Sequence, residues 1–378
     1  MTAAFDRPVR VVPVVDRRQL ASFIDFPWSV YAGDDDWVPP LRLDMRKAFD
    51  PSKHPFHQHS EAQPFLALRG DRPVGRICAI RNRNHEAFHE ESVGFFGFFE
   101  SIDDPMVARA LFDEVRAWLS ARGLAVMRGP TSFSTNEVAG FFVDGEQGPP
   151  VLMMAYNPRY YLDLVEGYGF EKSRDLYAWL LTSEQANPEY LLRAEKLVRR
   201  RSRAGIRTLD RSRFDEELRL VRDLYNAAWE RNWGFVPMTD AEFDFMAAEL
   251  KPILDPGLAL FVESDRGETL GFALALPDFN QVLRRMNGKL FPFGLAKAMY
   301  YKRKIDTLRV LILGLLEPHR GKGIDTLLYM AIIRNGLERG ITRGEMSWIL
   351  EDNHKMNAAI ERMGARLYRR YRLYDIDV

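Results

Sequence analysis

The sequence contains a single cysteine, Cys78, within the mostly apolar run 74–80. One cysteine cannot form a disulfide inside the chain, and its apolar neighbours predict a small core residue. Because structural disulfides persist mainly in oxidising compartments, this usage favours a reducing, cytoplasmic location.

Long apolar runs and an excess of one charge are absent as well. No uncharged apolar run reaches about 18 residues, the length that marks a membrane-spanning helix. The first twelve residues lack the apolar core of a signal peptide. Lysine plus arginine and aspartate plus glutamate both number 53. A balanced charge argues against general nucleic-acid binding, which requires a basic excess.

An internal repeat organises the chain of 378 residues. Segments 64–80 and 258–276 each predict two strands joined by a charged turn, and the second strand carries Gly75 or Gly271. Later in each half an asparagine precedes a helix that ends at Gly169 or Gly364. The spacing from Gly75 to Gly169 differs by one residue from the spacing between Gly271 and Gly364, which indicates a duplicated unit.

Each half therefore predicts three strands, a helix, a strand, a second helix and a final strand. Segments 104–123 and 323–340 have apolar residues at helical spacing. This order is typical of an α/β protein with a mixed sheet (α+β). A polar, basic segment begins at residue 183, so we place the domains at 1–182 and 183–378.

A glycine-rich turn follows the apolar strand 310–316 and leads into a helix. It contains Arg320, Gly321, Lys322, Gly323 and Ile324. Glycines at a strand-to-helix turn let backbone N–H groups approach an anion, and the helix N-terminus adds positive potential. The turn predicts a pyrophosphate site. The alternative is an ordinary helix start that happens to contain glycines.

The segment 310–333 resembles the signature of the GNAT family of N-acyltransferases, in which a strand precedes Arg/Gln-x-x-Gly-x-Gly/Ala and a helix. Arg320 and Gly323 match the first two fixed positions. Because each half of the chain resembles one GNAT unit, the resemblance spans the chain and implies two tandem GNAT folds. It implies acyl-CoA as co-substrate, with no permanently bound cofactor. Backbone N–H groups of Leu315 and Leu316 would hold the pantetheine arm, and residues 320–324 with Asn353 would complete this site.

Two positions depart from the family pattern. Asp325 stands where the motif has its last glycine or alanine, and Ile360 stands where many members have a tyrosine that protonates the leaving thiolate. Glu351, Asp352 and His354 are the candidate catalytic groups nearby. The alternative for these three is a solvated strand end that caps a helix.

The first half lacks the phosphate loop. At the equivalent place it has the acidic, glycine-free segment 98–105, so we expect no pyrophosphate there. This half would shape the acceptor site or support the other half. Candidate acceptor-binding residues are Asn136 in the hydroxyl-rich loop 129–140, Tyr156, Trp229 and Trp233. The alternative for 129–140 is a loop whose polar side chains bond only within the loop, and the alternative for the aromatic residues is packing in the core.

Two further segments draw attention. Residues 284–304 combine seven basic side chains with apolar and aromatic ones and contain no acidic residue. Such a segment can lie on an anionic membrane surface or cover an acyl chain, or it can be an ordinary packed helix. His54, His57 and His59 have metal-like spacing without further ligands, so we predict a polar loop and no metal site.

The whole-chain pattern resembles double-GNAT proteins of the bacterial ceramide synthase group. The matching segments are 54–56, 74–77, 94–100, 128–130, 156–161 and 232–238. The resemblance implies transfer of a fatty acyl group to the amine of a long-chain (sphingoid) base. The basic, aromatic segment 284–304 adds the expectation of a cytoplasmic protein at the inner face of the cytoplasmic membrane. Three other functions stay open. These are acetyl transfer to a small amine or peptide, acyl-carrier binding without catalysis, and aminoacyl transfer of the cell-wall kind.

Overall fold

The computed structural model describes residues 7–229 and 232–378, which form two compact units. The first contains the described residues up to Leu176 together with Met286–Gly294 and Arg370–Val378. The second contains Tyr177–Arg285 and Leu295–Arg369. The sequence pattern did not indicate that 286–294 and the last nine residues group with the first half. The domain boundary after residue 182 stays a prediction.

The strands within the described residues are named in chain order. They are β1 Val9–Pro13, β2 Glu61–Arg69, β3 Arg72–Arg81, β4 Val93–Ser101, β5 Val126–Gly129, β6 Thr131–Ser132, β7 Ser134–Ala139, β8 Phe141–Gly145, β9 Glu171–Thr182, β10 Gly205–Thr208, β11 Ala259–Glu263, β12 Thr269–Pro277, β13 Thr307–Leu315, β14 Arg343–Leu350 and β15 Arg366–Asp377.

The α-helices are named in the same way. They are α1 Arg17–Asp25, α2 Pro27–Val30, α3 Arg42–Ala48, α4 Arg83–His89, α5 Pro105–Ser120, α6 Tyr160–Tyr168, α7 Pro188–Ser202, α8 Phe214–Trp229, α9 Asp240–Leu250, α10 Asn280–Leu283, α11 Gly294–Tyr301, α12 Asp325–Leu337 and α13 His354–Arg362.

In the first unit the sheet runs β1-β2-β3-β4-β5, and the end of β15 pairs with β5. The pairs from β1 to β4 are antiparallel, whereas β4 and β5 are parallel. Helix α5 covers one face because its apolar residues recur at helical spacing. Its buried Leu111, Phe112 and Val115 pack against Ile77 and Phe96 of the sheet.

In the second unit the sheet runs β10-β11-β12-β13-β14 and is antiparallel as far as β13. Strands β13 and β14 are parallel, as expected for strands joined through a helix. That helix, α12, buries Leu327, Leu328 and Ile332 against Leu260 and Leu308 of the sheet. The mixed sheets of both units agree with the predicted fold class.

The helices that mark the repeat end as the sequence indicates. Gly169 after α6 has φ of 115° and Gly364 after α13 has φ of 97°. Glycine adopts this left-handed conformation without the cost that a side chain brings, so it stops the helix. At the other end of α13, the Asn353 side chain accepts a hydrogen bond from the Met356 N–H.

Candidate active site

Strands β13 and β14 separate halfway along their length. Their parallel pairing runs from Thr307 opposite Arg343 to Val310 opposite Met346. Both strands continue beyond that point, to Leu315 and Leu350. On its other side β13 stays paired with β12 and has an irregularity in register after Val310. One edge of residues 311–315 therefore faces a wedge-shaped gap between the two strands.

Backbone N–H groups of β13 point into this gap. The Leu316 N–H donates to the Leu270 carbonyl at 2.9 Å, so it belongs to the ladder with β12. In an antiparallel pair, successive residues direct their N–H groups to opposite sides. By this alternation the N–H groups of Leu313 and Leu315 face the gap. The Leu316 N–H is therefore not available to a pantetheine arm, because it is bonded to β12, and the predicted contact of Leu315 stays a prediction.

The glycine-rich turn lies directly after β13. Gly321 and Gly323 have φ of 71° and 76°, a conformation that permits tight turning close to a ligand. The Arg320 Nε donates to the Leu315 carbonyl at 2.9 Å, which ties the turn to the strand end. Lys322 is exposed beside it. Helix α12 then begins at Asp325, so its N-terminus faces the turn. This arrangement suits an anion.

The Asp325 carboxylate occupies part of the same helix start. Burial raises the pKa of this carboxyl, and the nearby backbone N–H groups of Asp325 and Thr326 partly oppose that shift. An ionised carboxylate at this position repels a phosphate that approaches the helix start.

The candidate catalytic residues lie together at the end of β14. Asp352 and His354 are exposed, and Glu351 is half-buried. The His354 N–H donates to the Asp352 carbonyl at 2.8 Å as α13 begins. The Asn357 side chain donates to the carbonyls of Leu350 and Glu351 at 3.1 and 3.5 Å. These contacts fit helix capping, and the catalytic roles stay predictions, as does a ligand role for Asn353.

A buried charged cluster at the closed end of the gap was missed by the sequence reading. Arg309 of β13 and Glu345 of β14 stand opposite each other, with 3.7 Å between Nε and Oε2. Glu345 is fully buried and also accepts hydrogen bonds from Ser347 and Tyr368. Burial raises the pKa of Glu345, while Arg309 and the hydroxyl donors lower it. The sequence signal that could have revealed this cluster is the presence of a charged residue, Arg309 or Glu345, within each of two mostly apolar strands.

The residue at the usual thiolate-acid position contributes no proton. Ile360 is buried in the core with Met346 and Met363. A nearby hydroxyl belongs to Tyr329 of α12, which donates to the Met356 Sδ at 2.9 Å. Burial is the main reason why the pKa of Tyr329 lies well above its usual value. The sequence reading did not single out Tyr329, because its spacing is that of a core helix residue.

The two tryptophans predicted for the acceptor site belong to the second unit. Trp229 ends α8, and its ring stacks on Tyr225 with 5.0 Å between centroids. Phe235 also contacts Tyr225, at 5.6 Å. Trp233 is partly buried in the turn that follows. Glu230 and Arg231, between them, lie outside the described residues.

Asn136 and Tyr156 belong to the first unit. The segment 129–140 was predicted to be a loop, but β6 and β7 pair as a short antiparallel sheet there. Its serines and threonines suggested turns, yet Thr131 and Ala139 are opposite each other in register. Asn136 lies in β7. Tyr156 donates to Asp34 at 2.7 Å, and its carbonyl accepts from Tyr31.

This hairpin also lies against β4 in the first unit. A Cβ on Gly97 would meet the Thr131 carbonyl oxygen at 1.6 Å, so the two backbones touch. Beyond Phe95, where pairing with β5 ends, β4 therefore has Thr131 beside it. Glu100 in the acidic segment is partly buried and accepts hydrogen bonds from Tyr31 and Tyr161 at 2.8 and 2.7 Å. The absence of pyrophosphate binding in this half stays a prediction.

Metal and membrane features were searched within residues 7–229 and 232–378. No group of three or more His, Cys, Asp or Glu side chains there is arranged to hold a metal ion. His54 is buried and caps a short 3-10 helix that contains His57. None of the helices described has both the length and the apolar character needed to cross a bilayer.

Comparisons with known proteins cover nearly the whole chain. No family model matches. The chain is 35% identical over 374 residues to a bacterial ceramide synthase from Caulobacter vibrioides (strain NA1000 / CB15N), covering 97% of this chain and 96% of the relative. It is 34% identical over 368 residues to Protein YghO from Escherichia coli (strain K12), covering 96% and 93%.

Solved structures show the same fold at low identity. A tandem GNAT protein from the clavulanic acid biosynthesis pathway matches with a TM-score of 0.58 and 14% identity, over 98% of both chains. A GCN5-related N-acetyltransferase from Sphaerobacter thermophilus matches with a TM-score of 0.53 and 14% identity, over 98% of this chain and 95% of the other. Both the fold class and the acyltransferase class predicted from the sequence are confirmed. The chain belongs to the family of tandem-GNAT acyltransferases that includes the bacterial ceramide synthase of Caulobacter vibrioides.

Proposed function

We propose that this acyltransferase moves a fatty acyl group from acyl-CoA to the amine of a long-chain sphingoid base. The observation that carries the proposal is the 35% identity to a bacterial ceramide synthase over 97% of this chain. The gap between β13 and β14, with the phosphate-type loop at its open end, supports the acyl-CoA half of the proposal.

In this proposal the acyl-CoA lies along the free edge of β13. Its pyrophosphate binds the turn Arg320–Ile324, and the N–H groups of Leu313 and Leu315 bind its pantetheine amides. A backbone N–H that faces the gap can also polarise the thioester carbonyl. The amine nitrogen attacks that carbonyl carbon, a C–N bond forms, and the C–S bond breaks. The amine loses a proton and the leaving thiolate gains one, which gives an amide and free CoA.

Glu351, Asp352 and His354 are the groups that we propose for the proton removed from the amine, at the open end of β14. Single alanine variants test this. Loss of the basic group should lower kcat and change the pH profile while leaving the KM for acyl-CoA near that of the parent. Three alanine variants with unchanged kcat and pH profiles would exclude the assignment.

The acceptor is tested by product analysis. The purified protein is incubated with palmitoyl-CoA or acetyl-CoA, each with a sphingoid base or a small amine, and amide products are measured by mass spectrometry. The proposal expects an N-palmitoyl sphingoid base as the main product. Acetyl transfer to the small amine, with no product from palmitoyl-CoA, would replace it with the acetyltransferase alternative.

We also propose that the protein is cytoplasmic and that α11 contacts the inner face of the cytoplasmic membrane. Leu295, Met299 and Tyr300 of this helix are 60%, 70% and 59% exposed. The first two lie four residues apart and so share a helix face. Lys302–Lys304 follow directly, and each basic residue near an anionic surface contributes about 1 kcal/mol of binding.

Vesicle co-sedimentation tests this contact. The parent should sediment with phosphatidylglycerol vesicles more than with phosphatidylcholine vesicles, and the difference should shrink with salt. Leu295→Asp with Met299→Asp should abolish sedimentation. Met106→Asp is the matched control, because Met106 is 65% exposed on another helix, α5. Equal loss in the control, or no binding by the parent, would refute the contact.

A further inference from the structure

An apolar cavity of about 260 Å³ lies inside the second unit, between its sheet and the helices α7 and α12. Leu308 and Val310 of β13 and Met346 of β14 line the sheet side. Tyr329 and Ile333 of α12 line the helix side. A concave, mostly apolar space that approaches the roughly 300 Å³ at the lower end of small-molecule sites can hold part of a ligand.

One side of the cavity coincides with the point where the two strands separate. Val310 and Met346 are the last paired residues of β13 and β14, and both line the cavity. Leu192 of α7 and Leu337 of α12 also line it, and they are 56% and 48% exposed. The cavity therefore extends from the closed end of the strand gap to the protein surface.

Helix α12 connects the cavity with the glycine-rich turn. Its N-terminus faces Arg320 and Lys322, and its later residues Tyr329 to Leu337 line the cavity over about 12 Å at 1.5 Å per residue. A ligand on this path would place an anionic group at the glycine-rich turn, an amide-bearing arm along β13 and an apolar tail in the cavity. A fatty acyl thioester of CoA has these three parts in this order.

We propose that the cavity binds the distal part of the fatty acyl chain and sets the preferred chain length. The proposal rests on the acyl-CoA donor named above. Gly344 of β14 is the residue at which this is testable, because it lines the cavity and has no side chain. A Cβ on Gly344 would lie 3.7 Å from the Leu308 side chain, an ordinary contact, so a larger residue fits by filling the cavity.

The test compares Gly344→Val with Gly205→Val. Gly205 also lies in a strand of the second unit, and a Cβ there would meet nothing within 4 Å. Binding of CoA, octanoyl-CoA and palmitoyl-CoA is measured by titration calorimetry, below the concentration at which micelles form. Each methylene that enters the cavity should strengthen binding about fourfold, the ratio that corresponds to ~0.8 kcal/mol per CH₂.

Valine adds three carbon atoms, so Gly344→Val should weaken palmitoyl-CoA binding roughly 60-fold while CoA binding stays unchanged. Gly205→Val should bind all three ligands as the parent does. Unchanged palmitoyl-CoA affinity in Gly344→Val, or equal loss in Gly205→Val, would overturn the proposal. The readout is independent of the acceptor. If these affinities are found without amide formation, the pocket stands and the sphingoid-base function fails.

Discussion

Replacing Arg309 with methionine should make the stability of this protein strongly dependent on pH. Arg309 and Glu345 are both buried, and their side chains are 4% and 0% exposed. The substitution removes the guanidinium that opposes the burial-driven rise in the pKa of Glu345. A buried charge that loses its partner typically costs 3–5 kcal/mol, so we expect a loss of about 3 kcal/mol near neutral pH.

The sign follows from proton linkage. Without Arg309 the pKa of Glu345 in the folded protein lies further above its unfolded value of 4.5. The folded state then holds a proton that the unfolded state has released, so stability falls as pH rises above that value. The slope approaches about 1.4 kcal/mol per pH unit. Arg309→Met should therefore lower the free energy of unfolding less at pH 5 than at pH 8.

The assay is urea unfolding of the full chain followed by tryptophan fluorescence at several pH values. The double variant Arg309→Met with Glu345→Gln is the matched control, because an uncharged amide of the same size removes the titrating group. It should recover stability at pH 8 and lose the added pH dependence. A single variant without pH dependence, or a double variant no more stable than the single one at pH 8, would refute the reasoning.

Three further predictions concern other residues. Asp325→Asn should strengthen CoA binding, because it removes a carboxylate that repels phosphate. In the parent, CoA affinity should rise as pH falls, because the raised pKa of Asp325 lets the carboxyl become protonated, and the variant should lack this rise. Calorimetric affinities that follow the same pH curve in both proteins would contradict this. Burial, with His89 and Arg128 nearby, lowers the pKa of His85 to about 3 from 6.5, although Glu91 lies 3.6 Å away. Stability should fall as pH drops below 6.5, and His85→Phe should remove a slope of up to about 1.4 kcal/mol per unit in acid denaturation. Asn157→Ala should cost about 2 kcal/mol in urea unfolding, because its side chain bonds both the N–H and the carbonyl of Phe142 at 2.7 and 3.3 Å.

The parts of the fold that the sequence predicted correctly are those set by local signals. Helix α12 and its glycine turn follow from apolar periodicity and from two glycines that adopt positive φ. Asp104 caps α5 through the Met106 N–H, as its acidic start suggested. Such features depend on neighbours within a few residues and are therefore visible in the chain itself.

The features that were missed depend on contacts between distant segments. The hairpin β6–β7 was read as a loop because serine and threonine resemble turn residues locally, and only pairing reveals the strands. Arg309 and Glu345 are far apart in sequence and meet only through the parallel register of β13 and β14. The cavity beside Gly344 results from the combined shape of three strands and two helices, which no single pattern encodes.

The most direct test of an acyl-CoA site at the glycine-rich turn is a thermal-shift series with CoA, acetyl-CoA and palmitoyl-CoA. It uses the parent, Arg320→Glu, and the control Arg266→Glu, whose side chain lies exposed in the turn between β11 and β12. A ligand well above its Kd stabilises the folded state by mass action. We expect palmitoyl-CoA to raise the Tm most, and we expect the shift to disappear in Arg320→Glu but to remain in Arg266→Glu. No shift with any ligand, or equal shifts in Arg320→Glu and the parent, would contradict an acyl-CoA site at this loop.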